Sequence, residues 1–129
     1  GGTSFDACMV KNLSPMIITD GTLERRALAL PMMDIHTIGA GGGSVAWIDG
    51  SGLLMMGPES AGSSPGPVCY GLGGKKPTCT DADLILGYLS PRFFAGGRMT
   101  LDYDKAHQAI EEQIAKPLKM SVTEAAAGM

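Results

Sequence analysis

Aromatic side chains are scarce in this sequence: they make up 5% of its 129 residues, with a single Trp. Few large rings are therefore available to fill a hydrophobic core. We expect the nine Met, together with Ala and Leu, to take their place. The hydrophobic share of 44% is ordinary for a globular protein, and the length suits one domain or part of a larger one.

Basic charge and long apolar runs are also lacking. The net charge is −3, which provides no basic surface for phosphates, so we expect no nucleic-acid partner. No run reaches the ~18 apolar residues that a membrane span needs, and no basic segment followed by an apolar stretch indicates export. These absences predict a cytoplasmic protein with no membrane partner.

The three cysteines, Cys8, Cys69 and Cys79, match neither a disulfide framework nor a four-ligand zinc site. Free thiols in the cytosol are the simplest interpretation. Cys69 and Cys79 flank a glycine-lysine turn and could approach each other. Two thiols without a His nearby in the sequence make only a weak case for a metal site.

Glycine, in contrast, is abundant, and its densest run lies in the segment from Asp34 to Ser44, Asp-Ile-His-Thr-Ile-Gly-Ala-Gly-Gly-Gly-Ser. Glycine allows a close approach to the backbone, and its N–H groups can converge on an anion. A flexible surface loop would have the same composition. Because Asp34 and His36 stand directly before the glycines, we favour a functional site.

A second candidate cluster opens the chain. The turn Gly1, Gly2, Thr3, Ser4 offers backbone N–H groups and two hydroxyls and is a plausible phosphate cradle. The alternation of apolar and polar residues after it predicts a half-buried strand with Phe5 and Met9 on its apolar face. Asp6 then shares a face with the Ser4 hydroxyl.

Further short strands are predicted from the turn residues. A turn at 11–15, strands at 16–19 and 23–30 and a tight connection at Asp20-Gly21 predict an antiparallel meander. Strands at 45–49 and 53–56, around Gly50-Ser51-Gly52, predict a second hairpin. Trp47 is expected to be a packing anchor. Residues 57–74, rich in Gly, Pro and Ser, are either a disordered linker or an ordered functional loop.

Helices are predicted in the second half of the chain. Thr80 and Asp83 form a capping pattern before a helix that Ser90-Pro91 ends, with Asp81 and Asp83 in its first turn. Another helix starts at Asp102 or Tyr103 and ends at Pro117. Its buried face carries Ala106, Ile110 and Ile114. His107 on this helix is expected at the surface or boundary, and a capping box at 121–124 starts a last helix.

The chain closely resembles the hydantoinase A/oxoprolinase family, whose strings it carries in order at residues 1–6, 34–44, 57–62, 65–71 and 77–84. That family includes N-methylhydantoinase, 5-oxoprolinase and subunits of acetone and acetophenone carboxylases. The resemblance implies an α/β fold with a mixed sheet, part of an actin-like ATPase (ribonuclease H-like) lobe, with an antiparallel meander followed by helices. We expect residues 1–129 to be a partial hydantoinase A domain, a second-lobe fragment truncated at both ends.

The resemblance also implies site residues and cofactors. Gly1, Gly2, Thr3 and Ser4 would hold the phosphates of ATP, and Asp6 would orient Mg²⁺ or a water. Asp34 and His36 would face the substrate or its phosphorylated intermediate, with His36 as general base or hydrogen-bond donor. Gly41, Gly42 and Gly43 would pass close to the ligand. His36 has the simpler alternative of a core histidine bonded to backbone.

The sequence departs from the family pattern at Asp83, where the family often has Asn. The aspartate that the family places just before the opening turn would precede Gly1 and is not in this chain. Three functions follow from the resemblance: an ATP-dependent hydrolase of cyclic amides, a subunit of an ATP-dependent acetone or acetophenone carboxylase, and a fragment that by itself binds nothing. The family implies a small-molecule substrate and a hydantoinase B-type partner subunit or domain.

Overall fold

The computed structural model describes residues 5–23 and 26–129. Residues 5–38 belong to one compact unit, which we call the ribbon, and residues 39–129 belong to a second, which we call the helical unit.

The ribbon consists of short antiparallel strands that pair in a nested order. Its strands are β1 (Phe5–Cys8), β2 (Val10–Lys11), β3 (Ser14–Pro15), β4 (Ile17–Ile18), β5 (Gly21–Leu23), β6 (Arg26–Leu28), β7 (Met32–Met33) and β8 (Ile35–Ile38). Strand β1 pairs with β8, β4 with β7, and β5 with β6, while β2 and β3 form a short side hairpin. Strands β1, β4 and β5 therefore form one arm of a long hairpin, and β6, β7 and β8 form the antiparallel arm.

This pairing corrects the meander expected from the turn residues. Gly21 was expected in a tight connection, but it opens β5 and is buried. A Cβ at Gly21 would overlap the sulfur of Met32, so glycine here allows a close contact between the arms and does not form a turn. The predicted turn at 11–15 is confirmed, with Asn12 and Leu13 at φ 51° and 61°, as a two-residue hairpin turn requires.

The ribbon buries little apolar surface. Strand β1 forms at the predicted place, but Phe5 is 57% exposed and Met9, just beyond it, is 67% exposed, so the expected half burial is wrong for both. Within residues 5–23 and 26–38 the paired strands form no second layer of their own, which explains the exposure.

The helical unit begins with the predicted second hairpin, formed by β9 (Ser44–Ile48) and β10 (Leu54–Ser60). The Asp49 carboxylate accepts hydrogen bonds from the N–H groups of Ser51 (2.8 Å) and Leu53 (2.9 Å) and fixes the turn. Trp47 is not the expected anchor, because Ala46 takes the core-facing position of β9. The Trp47 side chain stays 42% exposed and donates from Nε1 to the Gly57 carbonyl.

The segment from 57 to 74 is ordered, so the linker interpretation is wrong. Strand β10 extends through Ser60, and Val68–Tyr70 forms one turn of 3-10 helix. Residues 66–69 are buried.

Helices follow, with bounds α1 (Cys79–Ile85), α2 (Tyr103–Ile110), α3 (Lys116–Leu118) and α4 (Val122–Gly128). A π-helical turn, Glu111–Ala115, joins α2 to α3. Pro117 lacks an N–H and its ring crowds the preceding turn, which accounts for the widened helix there. Asp102 caps α2, and the capping box at Ser121 and Glu124 is confirmed.

Helix α1 differs from its prediction at both ends. The capping residue is Thr78, whose partner in the capping box is Asp81, two residues before the predicted pair. The helix ends at Ile85 and not near Ser90, because Gly87 takes φ +80°, which stops a helix.

The core lies in the helical unit. Ile110 and Ile114 of the helix starting at Tyr103 pack with five alanines, Ala46, Ala82, Ala115, Ala125 and Ala126. The predicted buried face of this helix is confirmed, and His107 is half-buried as expected. Among the described residues no Met is fully buried, so Ala and Ile fill the space expected for Met.

The predicted fold class, mixed α/β with antiparallel strands followed by helices, is confirmed. In the described part of the chain, no helix combines the length and apolar character that crossing a membrane requires.

Candidate functional site

The opening turn of Gly1, Gly2, Thr3 and Ser4 lies outside the described residues. The next predicted site residue, Asp6, lies on β1 with its side chain exposed. Thr37, directly opposite on β8, donates its hydroxyl to Asp6 Oδ1 at 2.6 Å. This bond orients the exposed carboxylate, which a cation or a water can reach.

Asp34 and His36 contact each other. His36 Nε2 lies 3.2 Å from Asp34 Oδ1, and the side chains are 75% and 28% exposed, respectively. Two residues apart in an extended segment, they share one face of the ribbon. The interpretation of His36 as a core histidine is wrong, since its ring is largely in solvent. Nε2 is the ring nitrogen that faces Asp34, which leaves Nδ1 for other partners.

Asp6 and the Asp34–His36 pair lie on opposite faces of the ribbon. Asp6 is opposite Thr37 in the register, whereas His36 is opposite Ala7. Directly opposed residues share a face and successive residues alternate. The structure therefore brings Asp34 and His36 together but does not place Asp6 beside them on this ribbon.

The glycine run ends in a tight turn at the start of the helical unit. The N–H of Ser44 donates to the Gly41 carbonyl at 2.9 Å, and the N–H of Gly41 donates to Ser44 Oγ at 2.9 Å. The Gly42 carbonyl accepts from both the N–H (2.9 Å) and the hydroxyl (2.8 Å) of Thr80. The turn is thus fastened to the start of α1.

Close approach explains why this turn needs glycine. A Cβ on Gly42 would lie 2.6 Å from Thr80 Oγ1, and one on Gly43 would lie 2.8 Å from Ser60 Oγ. Neither residue has positive φ. Packing within the helical unit therefore accounts for the glycines here, and contact of Gly41, Gly42 and Gly43 with a ligand stays a prediction.

Asp81 is the best-connected side chain of the helical unit. It is fully buried, and its carboxylate accepts from the N–H groups of Val68 (3.2 Å), Cys69 (2.7 Å) and Thr78 (2.9 Å) and from the Thr78 hydroxyl (2.8 Å). Four donors satisfy the buried charge. Asp81 thereby joins the start of α1 to the Pro- and Gly-rich loop.

The cysteines of the helical unit are unsuited to nucleophilic chemistry. Burial, followed by the negative charge of Asp81, raises the pKa of the Cys69 thiol far above its ordinary value of 9.0. Burial and the charge of Asp83 also raise the pKa of Cys79. Both thiols stay protonated at neutral pH, and all three cysteines are free, as expected.

The described residues contain no cluster of three or more His, Cys, Asp or Glu side chains that could enclose a metal ion. Mg²⁺ does not need such a cluster, because it commonly keeps several waters and binds through one or two carboxylates plus substrate phosphates. The exposed carboxylate of Asp6 fits that kind of ligand.

Two contacts of the site could not be found from the sequence. Thr37 lies in the glycine-rich segment. Its hydrogen bond to Asp6, which lies 31 residues earlier in the chain, depends on the pairing register of β1 with β8. Thr80 bonds Gly42 across 38 residues. No local signal in the sequence marks either pair.

Comparisons with a family model and with known proteins indicate the same family. A family model described as Hydantoinase/oxoprolinase matches residues 1–129. The chain is 47% identical over 129 residues to the caprolactamase subunit alpha of Pseudomonas jessenii, a match that covers 100% of this chain and 18% of that protein. It is 50% identical over 129 residues to the acetophenone carboxylase gamma subunit of Aromatoleum aromaticum, covering 98% of this chain and 18% of that protein.

A solved structure supports the same family assignment. The crystal structure of the ATP-dependent caprolactamase from Pseudomonas jessenii superposes with a TM-score of 0.83 at 47% identity, covering 99% of this chain and 18% of that one. The chain thus spans about a fifth of the length of these relatives.

Proposed function

Because the chain belongs to the hydantoinase/oxoprolinase family, we propose that it is part of an ATP-dependent hydrolase of cyclic amides that activates the substrate carbonyl by phosphorylation. The observation that carries the proposal is the 47% identity, over the whole chain, to a protein named as a caprolactamase subunit. Caprolactam is a cyclic amide. Residues 1–129 would form part of the second lobe of an actin-like ATPase fold.

Asp6 is the residue that we assign to Mg²⁺ or to a water. Its Oδ1 is already engaged by the Thr37 hydroxyl, so we assign Oδ2 to the cation. An exposed carboxylate held in one orientation suits a hard cation that prefers oxygen ligands. We assign Gly1, Gly2, Thr3 and Ser4 to the phosphates on the strength of the family resemblance alone.

When bound, ATP would supply a phosphoryl group that turns the resonance-stabilised carbonyl oxygen of the amide into a leaving group. The chain's own contribution is to position groups and offset charge. We assign the backbone of Gly41, Gly42 and Gly43 a place close to the ligand. The bonds from Thr80 and Ala61 to the carbonyls of this turn hold it in one conformation, which favours such a role.

Asp34 and His36 form the acid–base pair of the proposal. Asp34 Oδ1, which lies 3.2 Å from Nε2, stabilises the imidazolium that forms when Nδ1 takes a proton from an attacking water. Because this pair lies on the face of the ribbon opposite Asp6, its role is separate from metal binding. Substitutions of Asp6 and of His36 should therefore have different effects.

A second candidate is an ATP-dependent carboxylase of a ketone. It is supported by the 50% identity to an acetophenone carboxylase subunit, and both reactions would begin by activating an oxygen with ATP. Several relatives are named as subunits, so we also propose a partner subunit of the hydantoinase B type. We propose a cytoplasmic location for the assembly.

The test is phosphate release by the full-length protein with its partner subunit. We expect release in the presence of a lactam or hydantoin and ATP. Release that needs a ketone together with bicarbonate would favour the carboxylase, and release with neither class would refute both. The third possibility is that residues 1–129 alone bind nothing. A titration of this chain with ATP tests it, and binding of ATP would refute it.

Matched histidine variants test the site. His36→Ala should lower kcat by about 10²- to 10⁴-fold, the usual contribution of general acid–base catalysis. His107→Ala is the control, because His107 is the other of the two histidines and lies on α2. Unchanged turnover in His36→Ala would remove the catalytic role of this pair. Asp6→Asn should instead raise the Mg²⁺ concentration needed for half-maximal activity.

A further inference from the structure

A cavity of about 450 Å³ opens wholly within the helical unit, beside the end of β10 and the segment 73–76. Its polar lining comes from Glu59, Ser60, Ser64, Gly73, Lys75 and Lys76. We propose that this cavity binds a small molecule through an oxyanion, either a phosphate or a carboxylate, with Lys75 as the main charge partner. None of the residues assigned above to ATP, Mg²⁺ or proton transfer lines it, so the inference goes beyond the proposed function.

The size of the cavity suits a small organic ligand. Pockets that bind such ligands enclose about 300 to 1,000 Å³ and combine an apolar wall with a few polar groups. Here Val45, Ala61 and Pro65 provide apolar wall, and the polar groups named above complete it. The cavity therefore has room for the body of an organic molecule as well as for its charged group.

The charge of the lining points to an anion. Two lysines and one glutamate give a net charge of +1, in a chain whose net charge is −3. Lys76 Nζ donates to both carboxylate oxygens of Glu59, at 2.8 and 2.7 Å, which neutralises that pair. Within residues 5–23 and 26–129, Lys75 takes part in no ion pair, so its ammonium group is available to a ligand in this cavity or in the separate cavity of about 220 Å³ that Lys75 also lines. The hydroxyls of Ser60 and Ser64 are further potential donors.

The backbone around the cavity is held in place before any ligand binds. A Cβ on Gly74 would clash with the Gly66 carbonyl oxygen, so the two segments touch through their main chains. Gln113 Nε2 donates to the Lys75 carbonyl at 2.7 Å. Gly73 has φ +99°, and a Cβ there would meet nothing within 4 Å, so this residue borders open space. A preformed wall reduces the ordering cost of binding.

The Glu59–Lys76 pair can adjust to a ligand. The two side chains are 60% and 55% exposed, and exposed ion pairs contribute little to stability. The pair also borders a second cavity of about 390 Å³, which is lined in part by Val45, Glu59 and Lys76. An oxyanion in the first cavity can therefore draw Lys76 from Glu59 without disturbing the fold.

Calorimetric titration of the full-length protein tests the proposal, with inorganic phosphate and acetate as separate probes. For a single oxyanion we expect a Kd of ~1 mM, because much of the ligand is missing. Lys75→Gln should weaken binding at this site about tenfold or more, as expected for the loss of a charged hydrogen-bond donor. The variant should fold normally, since Gln113 binds the backbone of residue 75 and not its side chain.

Lys116→Gln is the control, because Lys116 is also an exposed lysine but does not line this cavity and is paired with Glu111 at 3.2 Å. It should bind the probe like the unmodified protein. Phosphate binding that depends on Lys75 identifies a phosphate ligand, and acetate binding that depends on Lys75 identifies a carboxylate ligand. Equal affinities of the Lys75→Gln and Lys116→Gln proteins, or no binding of either probe, would overturn the proposal. Asp6→Asn should keep this binding, so the result is independent of the ATP-dependent activity.

Discussion

The Cys69 thiol shows how one residue can make stability depend on pH. It is completely buried, with the ionised carboxylate of Asp81 close by, and both burial and that charge favour the protonated thiol. In the unfolded chain the thiol would have its ordinary pKa of 9.0. Above that pH the unfolded state has lost a proton that the folded state keeps, so the raised pKa makes folding less favourable as pH rises.

We therefore predict that Cys69 adds no pH dependence to the free energy of unfolding at neutral pH and lowers this free energy above about pH 9, by up to ~1.4 kcal/mol per pH unit. Urea unfolding at a series of pH values measures this slope. Cys69→Ala should reduce this slope but not abolish it, because the pKa of the Cys79 thiol is raised as well. Cys8→Ala, which removes a thiol of the ribbon, should leave the slope unchanged. Parallel curves for the unmodified protein and Cys69→Ala would show that another group causes the loss.

At the scale of secondary-structure elements, one carboxylate joins α1 to the loop before it. Asp81 and Asp83 look alike in the sequence, as two acids at the start of a helix. In the structure only Asp81 is fully buried with four donors, while Asp83 is half-buried. The order of the Pro- and Gly-rich loop therefore depends on Asp81 more than on the composition of the loop itself.

Asp81→Asn should destabilise the protein by about 2 to 4 kcal/mol, because an amide has one oxygen and cannot accept from four donors. Asp83→Asn, on the same helix, should cost less than about 1 kcal/mol. Thermal unfolding compares the two variants, and amide hydrogen exchange at Val68 and Cys69 should increase only in Asp81→Asn. Similar losses in both variants would mean that the buried carboxylate does not hold the loop.

The local patterns of the sequence predicted most elements of the helical unit. The spacing of Ala106, Ile110 and Ile114 gave the buried face of the helix from Tyr103, and the turn residues around Asp49 gave the hairpin, because both signals lie within a few residues. The bonds of Asp81 to Val68 and Cys69 lie 12 to 13 residues away, beyond any local pattern. For the same reason Asp34 and His36 could be predicted as a pair, but not their placement on the face opposite Asp6.

At the scale of the whole molecule, the two units differ in how much core they have. The fully buried apolar residues of the described chain all lie between Val45 and Ala126, within the helical unit. In the ribbon, apolar side chains remain largely in solvent, with Leu13 at 99% and Val10 at 61% exposure. Burial of apolar surface is the main favourable contribution to folding, and a two-stranded hairpin is marginal by itself in water.

We therefore predict that residues 39–129, expressed alone, unfold cooperatively and keep their helical circular dichroism. A peptide of residues 5–38 should lack fixed structure, with amide protons that exchange at rates close to those of an unfolded chain. Nuclear magnetic resonance of both pieces measures this, because a folded strand pair gives dispersed amide signals. Dispersed signals from the 5–38 peptide would mean that cross-strand pairs such as Ile17 with Met33 stabilise the ribbon without a second layer. Loss of cooperativity in the 39–129 piece would show that its alanine-rich core is too small to support folding by itself.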